Sequence, residues 1–526
     1  MRRLFPIFLS AFLALASSAQ TPQERADLNM TMQKIGTTLM AIKALYIDTT
    51  NTVSLGDNAI KAMLEQLDPH SNYSNAEETK KLTEPLDGNF EGIGVQFNVL
   101  NDTLVVVQPV SKGPSEKAGI LAGDRIITVD DSVIAGVKMP REKMMKLLRG
   151  PKNSVVMLGI KRRGVEELIP FRIIRDKIPL YSVDAAYMIR PEIGIIRLGN
   201  FAASTHDEIH DAIKKLKKKG MKSLILDLEQ NGGGYLEAAN EVASEFLTKG
   251  ELVVYTDGRS VPQKQFRASG NGIFTEGKVI VLVDQYTASA AEIVSGAIQD
   301  QDRGYIVGRR TFGKGLVQRP VELPDGSMVR LTVSHYFTPT GRCIQKPYEK
   351  GKKKDYEEDI LNRLNSGELM HIDSIHLADS LKYYTLKEHR VVYGGGGIMP
   401  DYFVPLDTTV YTRFHRMLTR KNILLNNYLE YFDKNRKELT AKHKDFERFK
   451  DEFEPPQQLI DSIVAEGKRS YDKPVEQEEL QKTMPRLRLQ LKALFARDIW
   501  DMNEYFAIIN EDNESVKKAL ELLGTE

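Results

Sequence analysis

Near the start of the chain, apolar residues recur at helical spacing: Leu28, Met32, Ile35, Leu39, Ile42 and Leu45. The pattern stops at Asp68-Pro69, which predicts a small helical region over residues 20–80. The period then shortens. Over residues 85–177, β-rich runs such as GIGVQFNVL, LVVVQPV, DRIITVDD, SVVMLGIKR and IPFRIIR alternate with glycine turns. Helices interrupt them from Ser115 to Leu121 and from Arg141 to Leu148, so this stretch predicts a small, mostly β domain. Between residues 178 and 345, strands and helices alternate. IGIIRLGNF, KSLILDLE, KVIVLVD and GYIVG read as strands, and KSLILDLE and KVIVLVD are apolar enough to be buried. Helices are predicted from Ser204 or Thr205 to Lys219, stopped by Gly220, then from Tyr235 to Leu247, and through SAAEIVSGAIQD. NGGG reads as a tight turn, and VELPDGSMVRLTVSHYFT as a hairpin turning at Pro-Asp-Gly. This order predicts an α/β core.

Residues 346–391 are charged and irregular (EKGKKKDYEED) and read as an insertion; GGGGIMPDYFV returns the chain to extended structure over residues 392–408. From residue 409 to 526 the pattern is charged and helical, broken at Pro455-Pro456 and Pro474, and no fixed-period repeat is visible. The first 19 residues differ from all of this. Arg2 and Arg3 precede an apolar stretch from Leu4 to Leu15, with Ser17 and Ala19 at −3 and −1 of a cut before Gln20. That is the pattern of a secretory signal cleaved after Ala19. The alternative, a membrane anchor, needs about 20 apolar residues. No later segment is apolar enough to span either, so an exported protein, periplasmic or extracellular, is expected.

Composition adds limits. A chain of 526 residues is too long for one core, and about three or four domains are expected. A net charge of +1 gives no support to a nucleic-acid partner. A single cysteine, Cys343, excludes an internal disulfide and a cysteine-rich metal site.

Candidate chemistry sits in three places. In VDQYTASAAEIVSGA, Ser289 lies between a strand pattern and a helix start. It reads either as a helix cap or as a nucleophile presented at a strand-to-helix turn, beside free backbone N–H groups. In GRRTFGKGL, Lys314 lies between Gly313 and Gly315. This looks like a phosphate-binding loop, but glycine stands where that loop needs a serine or threonine for magnesium. The other readings are a solvated loop lysine and a general base. A base must be neutral at working pH, which burial and the lack of a carboxylate partner favour. The sequence neighbours of Lys314 bring no carboxylate, and Gln318, on the same face of an extended strand, offers an amide oxygen. Finally, Gly232, Gly233 and Gly234 in LDLEQNGGGYL place backbone N–H groups after a buried strand, where they could serve an oxyanion or simply turn the chain.

Together these segments resemble the carboxyl-terminal processing, or tail-specific, proteases. The serine of that family is followed 25 residues later by the lysine of F-G-K-G-x-V-Q; here TASAAE and FGKGLVQ hold Ser289 and Lys314, and 314 − 289 = 25. Gln318 matches the glutamine that orients the lysine, LDLEQNGGG matches LDLRxNxGG, and LDPHSNY and GGGIMPD match further segments. The resemblance implies a crotonase-like α/β protease core preceded by a PDZ domain, flanked by N- and C-terminal helical regions, within an α/β and α+β multidomain chain. It implies Ser289 as nucleophile, Lys314 as base, Gln318 as its partner, and backbone N–H groups of Gly233 and Ala290 as oxyanion donors, with Gly232 the fallback for Gly233. EGIGVQF resembles a PDZ carboxylate-binding loop, so Ile93, Gly94 and Val95 would capture a peptide C-terminus. The alternative is a PDZ module that only packs against the core. No cofactor, metal or nucleic acid is implied; the partners are protein or peptide substrates with accessible C-termini, and the terminal helices are candidates for homo-oligomer contacts.

Glu229 replaces the arginine of the family pattern, which puts that residue's salt bridge in doubt. HDEIH, from His206 to His210, mimics a zinc helix, but Asp207 stands where the metalloprotease glutamate belongs and no third ligand is suggested; it reads as the polar face of a capped helix. KKLKKKG reads as a solvated helix end. The competing function is a catalytically inactive PDZ adaptor on a protease-like core, which would bind peptides without turnover. Nucleotide binding through Lys314 is third.

Overall fold

The computed structural model describes residues 21–407, 409 and 411–524; the expected export signal lies outside the described residues. The helical start of the chain forms two helices rather than one, Pro22–Leu45 and Thr52–Glu65. The first is opened by a capping box between Thr21 and Glu24 and buries none of its residues.

Six strands form the central sheet, in the order Val183–Arg190, Ile193–Leu198, Ser223–Asp227, Lys278–Val283, Tyr305–Gly308 and Tyr402–Phe403. All neighbours are parallel except the first pair. Helices Thr205–Lys218, Leu236–Ser244 and Ala290–Asp300 cover one face, burying Leu224, Leu226, Val279 and Val281. Ile225, Ile280 and Leu282 point the other way, onto Val516, Ala519 and Leu520 of the last helix, Glu514–Leu523. Both faces are thus covered, which explains the unbroken apolar runs KSLILDLE and KVIVLVD. The far end of the chain therefore completes the core sheet instead of merely flanking it.

A second sheet joins Asn72–Ser74, Met328–Phe337, Leu252–Gly258 and Val261–Arg267, with Leu316–Glu322 also paired to Met328–Phe337. The last pair is the expected Pro-Asp-Gly hairpin, and the hairpin of Leu252–Gly258 and Val261–Arg267 turns at a second Asp-Gly, Asp257-Gly258.

A third, antiparallel sheet runs Val95–Leu100, Thr103–Pro109, Arg125–Val129, Val155–Lys161 and Ile169–Ile174, with Val95–Leu100 at its edge. Arg141–Leu148 is helical as expected, whereas the preceding helix is shorter, Pro114–Ala118. Gly119 ends it in a left-handed cap with φ of 91°. Asn89–Gly92 pairs with Asp176–Pro179 and brings the two ends of this domain together.

The insertion is more ordered than its composition suggests. It forms helices Lys353–Glu357 and Asp359–Asn365, and its buried Arg363 bonds Glu368 and the Thr311 carbonyl. C-terminal helices including Ile423–Lys442 and Gln477–Ile499 pack around Phe414, Tyr428, Phe432 and Phe495. Asp433 of this bundle pairs with Arg125 of the third sheet at 2.6 Å.

Candidate active site

Ser289 ends the turn that follows the strand Lys278–Val283 and is the first residue before the helix Ala290–Asp300. Its φ is 60° and its ψ −117°. An ordinary cap residue is extended with negative φ. Positive φ in a residue with a Cβ is strained, and such strain collects at functional sites. The turn is otherwise tightly packed: Ala288, Ala290 and Ala291 are buried, while Ser289 itself is half-buried. Ala290 supplies the first N–H of the helix, which has no intrahelical acceptor.

Glu292, one turn into that helix, is fully buried. Its carboxylate accepts the backbone N–H groups of Ser289 at 2.7 Å, Gly313 at 2.7 Å and Lys314 at 2.9 Å, and the Thr311 hydroxyl. One side chain thereby fixes the Ser289 turn against the Lys314 loop. Phe312 N–H adds a bond to the Thr287 carbonyl at 3.0 Å, and the Tyr336 hydroxyl donates to the Ser289 carbonyl at 3.1 Å. Burial pushes the Glu292 carboxyl up, opposed by its four donors. Sequence reasoning missed Glu292 as a site residue, although it is the glutamate of TASAAE.

Lys314 lies two residues before the strand Leu316–Glu322, not within it as the i, i+4 spacing predicts. Its Nζ nevertheless donates to Gln318 Oε1 at 3.1 Å. Gln318 is oriented in turn, since its Nε2 donates to the His70 carbonyl at 2.7 Å, which leaves the amide oxygen for the lysine. Burial brings the Lys314 pKa down to about 8, aided by the Arg330 charge and opposed by Glu292 and Asp68. The carboxylate that the flanking sequence lacks thus arrives from Glu292, but its bonds go to backbone N–H groups and a hydroxyl, not to Nζ. His70 is held by a bond of 2.8 Å between its Nε2 and the Tyr356 hydroxyl. Burial and the Lys314 charge lower its pKa to about 3, so the ring is neutral. Asp68 accepts the N–H groups of His70 and Ser71, both at 2.9 Å, and anchors this LDPHSNY segment beside Lys314.

A strand, not a helix, follows the glycine-lysine loop. A phosphate-binding loop needs a helix N-terminus there. Instead, Gly315 lets the loop approach the segment that leads into the insertion: a Cβ on it would lie 2.8 Å from Gln345 N.

Gly233 comes against the Ser289 turn. A Cβ at Gly233 would lie 2.8 Å from Ser289 Cβ and 2.9 Å from Ala290 N, so only glycine fits. Its N–H donates to Asn231 Oδ1 at 2.9 Å, and Asn231 also accepts the Ala288 N–H through its carbonyl at 2.9 Å. Ser289, Ala290 and Gly233 are thus brought together, with the Gly233 donor engaged by Asn231.

Just before the third sheet, Ile93 and Gly94 are buried and Gly94 has φ of 71°. The loop is braced by Ser115, whose N–H and hydroxyl both donate to the Ile93 carbonyl, at 3.0 Å and 2.7 Å. Val95 begins the edge strand Val95–Leu100, and Arg141 of the helix Arg141–Leu148 lies over the Phe97 ring at 5.5 Å. An edge strand beside a helix is the setting for adding a peptide strand.

Glu229 accepts Asn513 Nδ2 and the Ser515 hydroxyl, both at 2.9 Å, at the N-terminus of the last helix. Burial and the Asp227 charge raise its pKa to about 7. Asp227 pairs instead with Arg197 from the neighbouring strand. The departure from the family arginine therefore serves the docking of the C-terminal helix.

Residues 192–357 match peptidase family S41, residues 92–170 a PDZ domain, and residues 414–501 a family of unknown function, DUF8443. The carboxy-terminal-processing protease of Bartonella bacilliformis is 34% identical over 343 residues, 64% of this chain and 78% of that protein. Carboxy-terminal processing protease CtpA of Bacillus subtilis is 35% identical over 353 residues, 66% of this chain and 75% of that protein. The chain belongs to the carboxy-terminal processing proteases of peptidase family S41, with a PDZ domain ahead of the protease core. Among solved structures, the photosystem II D1 C-terminal processing protease is similar at 31% identity with a TM-score of 0.33, covering 60% of this chain and 84% of that one. Among the described residues, no helix is long and apolar enough to cross a membrane.

Proposed function

We propose that the protein is an exported serine endopeptidase that holds a substrate's C-terminus in its PDZ domain and cleaves upstream with a Ser289–Lys314 dyad. The reading rests on Lys314. Its Nζ faces a neutral amide oxygen instead of a carboxylate, and its pKa is lowered to about 8, so a useful fraction is uncharged near neutral pH. Neutral Lys314 takes the Ser289 hydroxyl proton as Oγ attacks the scissile carbonyl. The oxyanion is stabilised by the N–H groups of Ala290 and Gly233, the latter shared with or released by Asn231. Lys314 returns the proton to the leaving amine, and water repeats the sequence on the acyl-enzyme.

Ile93, Gly94 and Val95 receive the terminal carboxylate while the substrate adds a strand along Val95–Leu100. The exposed helix Pro22–Leu45 carries Leu28, Ile35 and Leu45 on its surface, which suits a contact with a second copy. The test is cleavage of a peptide reporter with a free C-terminus. Ser289→Ala and Lys314→Ala are each expected to lower kcat by about a thousandfold or more with unchanged melting temperature. Peptide binding without turnover by the wild type would instead indicate the inactive adaptor.

A further inference from the structure

The HDEIH segment gains in three dimensions what it lacks in sequence. His206 and His210 lie one turn apart on the helix Thr205–Lys218. Glu245, just past the helix Leu236–Ser244, comes between them. Glu245 Oε1 lies 3.0 Å from His206 Nε2 and 2.8 Å from His210 Nδ1. The three ligand atoms are within 4.8 Å of one another, the one such cluster among the described residues. We infer that His206, His210 and Glu245 form a site for a first-row divalent metal ion of the zinc class, outside the proposed catalytic machinery.

Three observations support this. The first is charge. The Glu245 side chain is fully buried, and its ion-pair partners among the described residues are the two imidazoles alone. A carboxylate buried this deeply is costly unless a positive charge meets it, and a metal ion would supply one. Lys217, on the same helix, is spent on the Ile273 carbonyl at 2.7 Å. The second is preorganisation. Glu245 Oε2 is already fixed by the Ile273 N–H at 3.0 Å. That contact depends on Gly272, where a Cβ would lie 2.7 Å from Glu245 Cα. A supported carboxylate of this kind is what a metal ligand requires.

The third is ligand chemistry and access. Ligand bonds of about 2.0–2.2 Å in a tetrahedron put ligand atoms roughly 3.3 Å apart, so the ion is admitted by spreading the 2.8 and 3.0 Å contacts slightly and bringing the two imidazole nitrogens, within 4.8 Å of each other, onto it. Two imidazoles and one carboxylate suit zinc, and disfavour calcium or magnesium, which take oxygen ligands. Both histidine side chains remain one-third exposed, which leaves the fourth position to water. The ion would clip the start of one core helix to the end of another, Leu236–Ser244, whose opposite end follows the Gly233 turn.

The test uses the untagged mature protein, stripped with chelator and dialysed against zinc, with bound metal counted by mass spectrometry. Cobalt(II) serves as the spectroscopic probe. The wild type is expected to retain one equivalent of zinc, to melt at a higher temperature with it, and to give an intense four- or five-coordinate cobalt band. His206→Ala and His210→Ala are expected to bind about 100-fold more weakly while still folding, since both side chains sit at the surface of a helix. No retained zinc, equal retention by both variants, or only a weak six-coordinate cobalt spectrum would overturn the site and leave an ordinary ion pair. The readout needs no turnover, so it stands apart from the peptidase reading.

Discussion

Glu292 grips Lys314 by its backbone, accepting the amide N–H at 2.9 Å, and leaves the side-chain nitrogen to Gln318. A carboxylate placed on Nζ would hold the lysine charged; placed on the main chain, it positions the loop without doing so. Glu292→Gln keeps the shape but offers one acceptor oxygen and two donors to groups that are all donors. Each buried N–H left without an acceptor costs about 1–3 kcal/mol. The variant is expected to melt several degrees lower and to lose most of its activity, measured by thermal unfolding and peptide cleavage in parallel.

Gln318→Glu moves a carboxylate onto Nζ, where the wild type has an amide oxygen at 3.1 Å. An opposite charge at that distance favours the protonated lysine and raises its pKa by about 1–3. Activity at pH 8 is expected to fall about tenfold or more, and to recover part of the loss as the pH is raised toward 10. A uniform loss at every pH would point to disturbed packing instead.

Glu229 gives a stability prediction of definite sign. Its pKa is raised from 4.5 to about 7 in the folded chain. The native state therefore binds the proton more tightly, its contribution is full below the unfolded pKa, and it is lost as the pH rises through about 7. Glu229→Gln removes the charge, keeps one oxygen to accept from Asn513, and presents its NH2 to the Ser515 hydroxyl, which can turn to accept. The variant is expected to be more stable than the wild type above pH 7, by up to about 3 kcal/mol, because each tenfold difference in proton affinity between the folded and unfolded chain is worth roughly 1.4 kcal/mol. The gap should close near pH 4.5, as denaturant unfolding at both pH values would record.

Gly94 has φ of 71°, and a Cβ there would meet Ile178 Cδ1 at 2.8 Å. Gly94→Ala should distort the carboxylate-binding loop. KM for a reporter with a free C-terminus is expected to rise about tenfold, with kcat little changed. An amidated reporter should start with the higher KM and show little further change.

Much of this was legible in the sequence. The strand patterns KSLILDLE and KVIVLVD, the NGGG turn and the 25-residue spacing of Ser289 and Lys314 marked the core and the candidate dyad, because local period and motif spacing carry that information. What was not legible depends on distant segments. Glu292 carries no local signal of its role, because its donors come from residues 311–314 as well as its own turn. His70, 248 residues from Gln318, orients the amide through a carbonyl that has no sequence signature. Glu245 stands 35 residues from His210, so HDEIH showed two ligands and no third. The role of Glu229 needed residues 513 and 515, which only the fold brings back to the core sheet.

The most direct test is the pH dependence of acylation, followed by single-turnover cleavage of the reporter. With Lys314 as base, the rate should rise with pH through a single ionisation near 8, the value that burial gives this lysine, and the rise should vanish in Lys314→Ala. A midpoint at about pH 6–7, where a histidine base titrates, or a rate independent of pH would contradict the account.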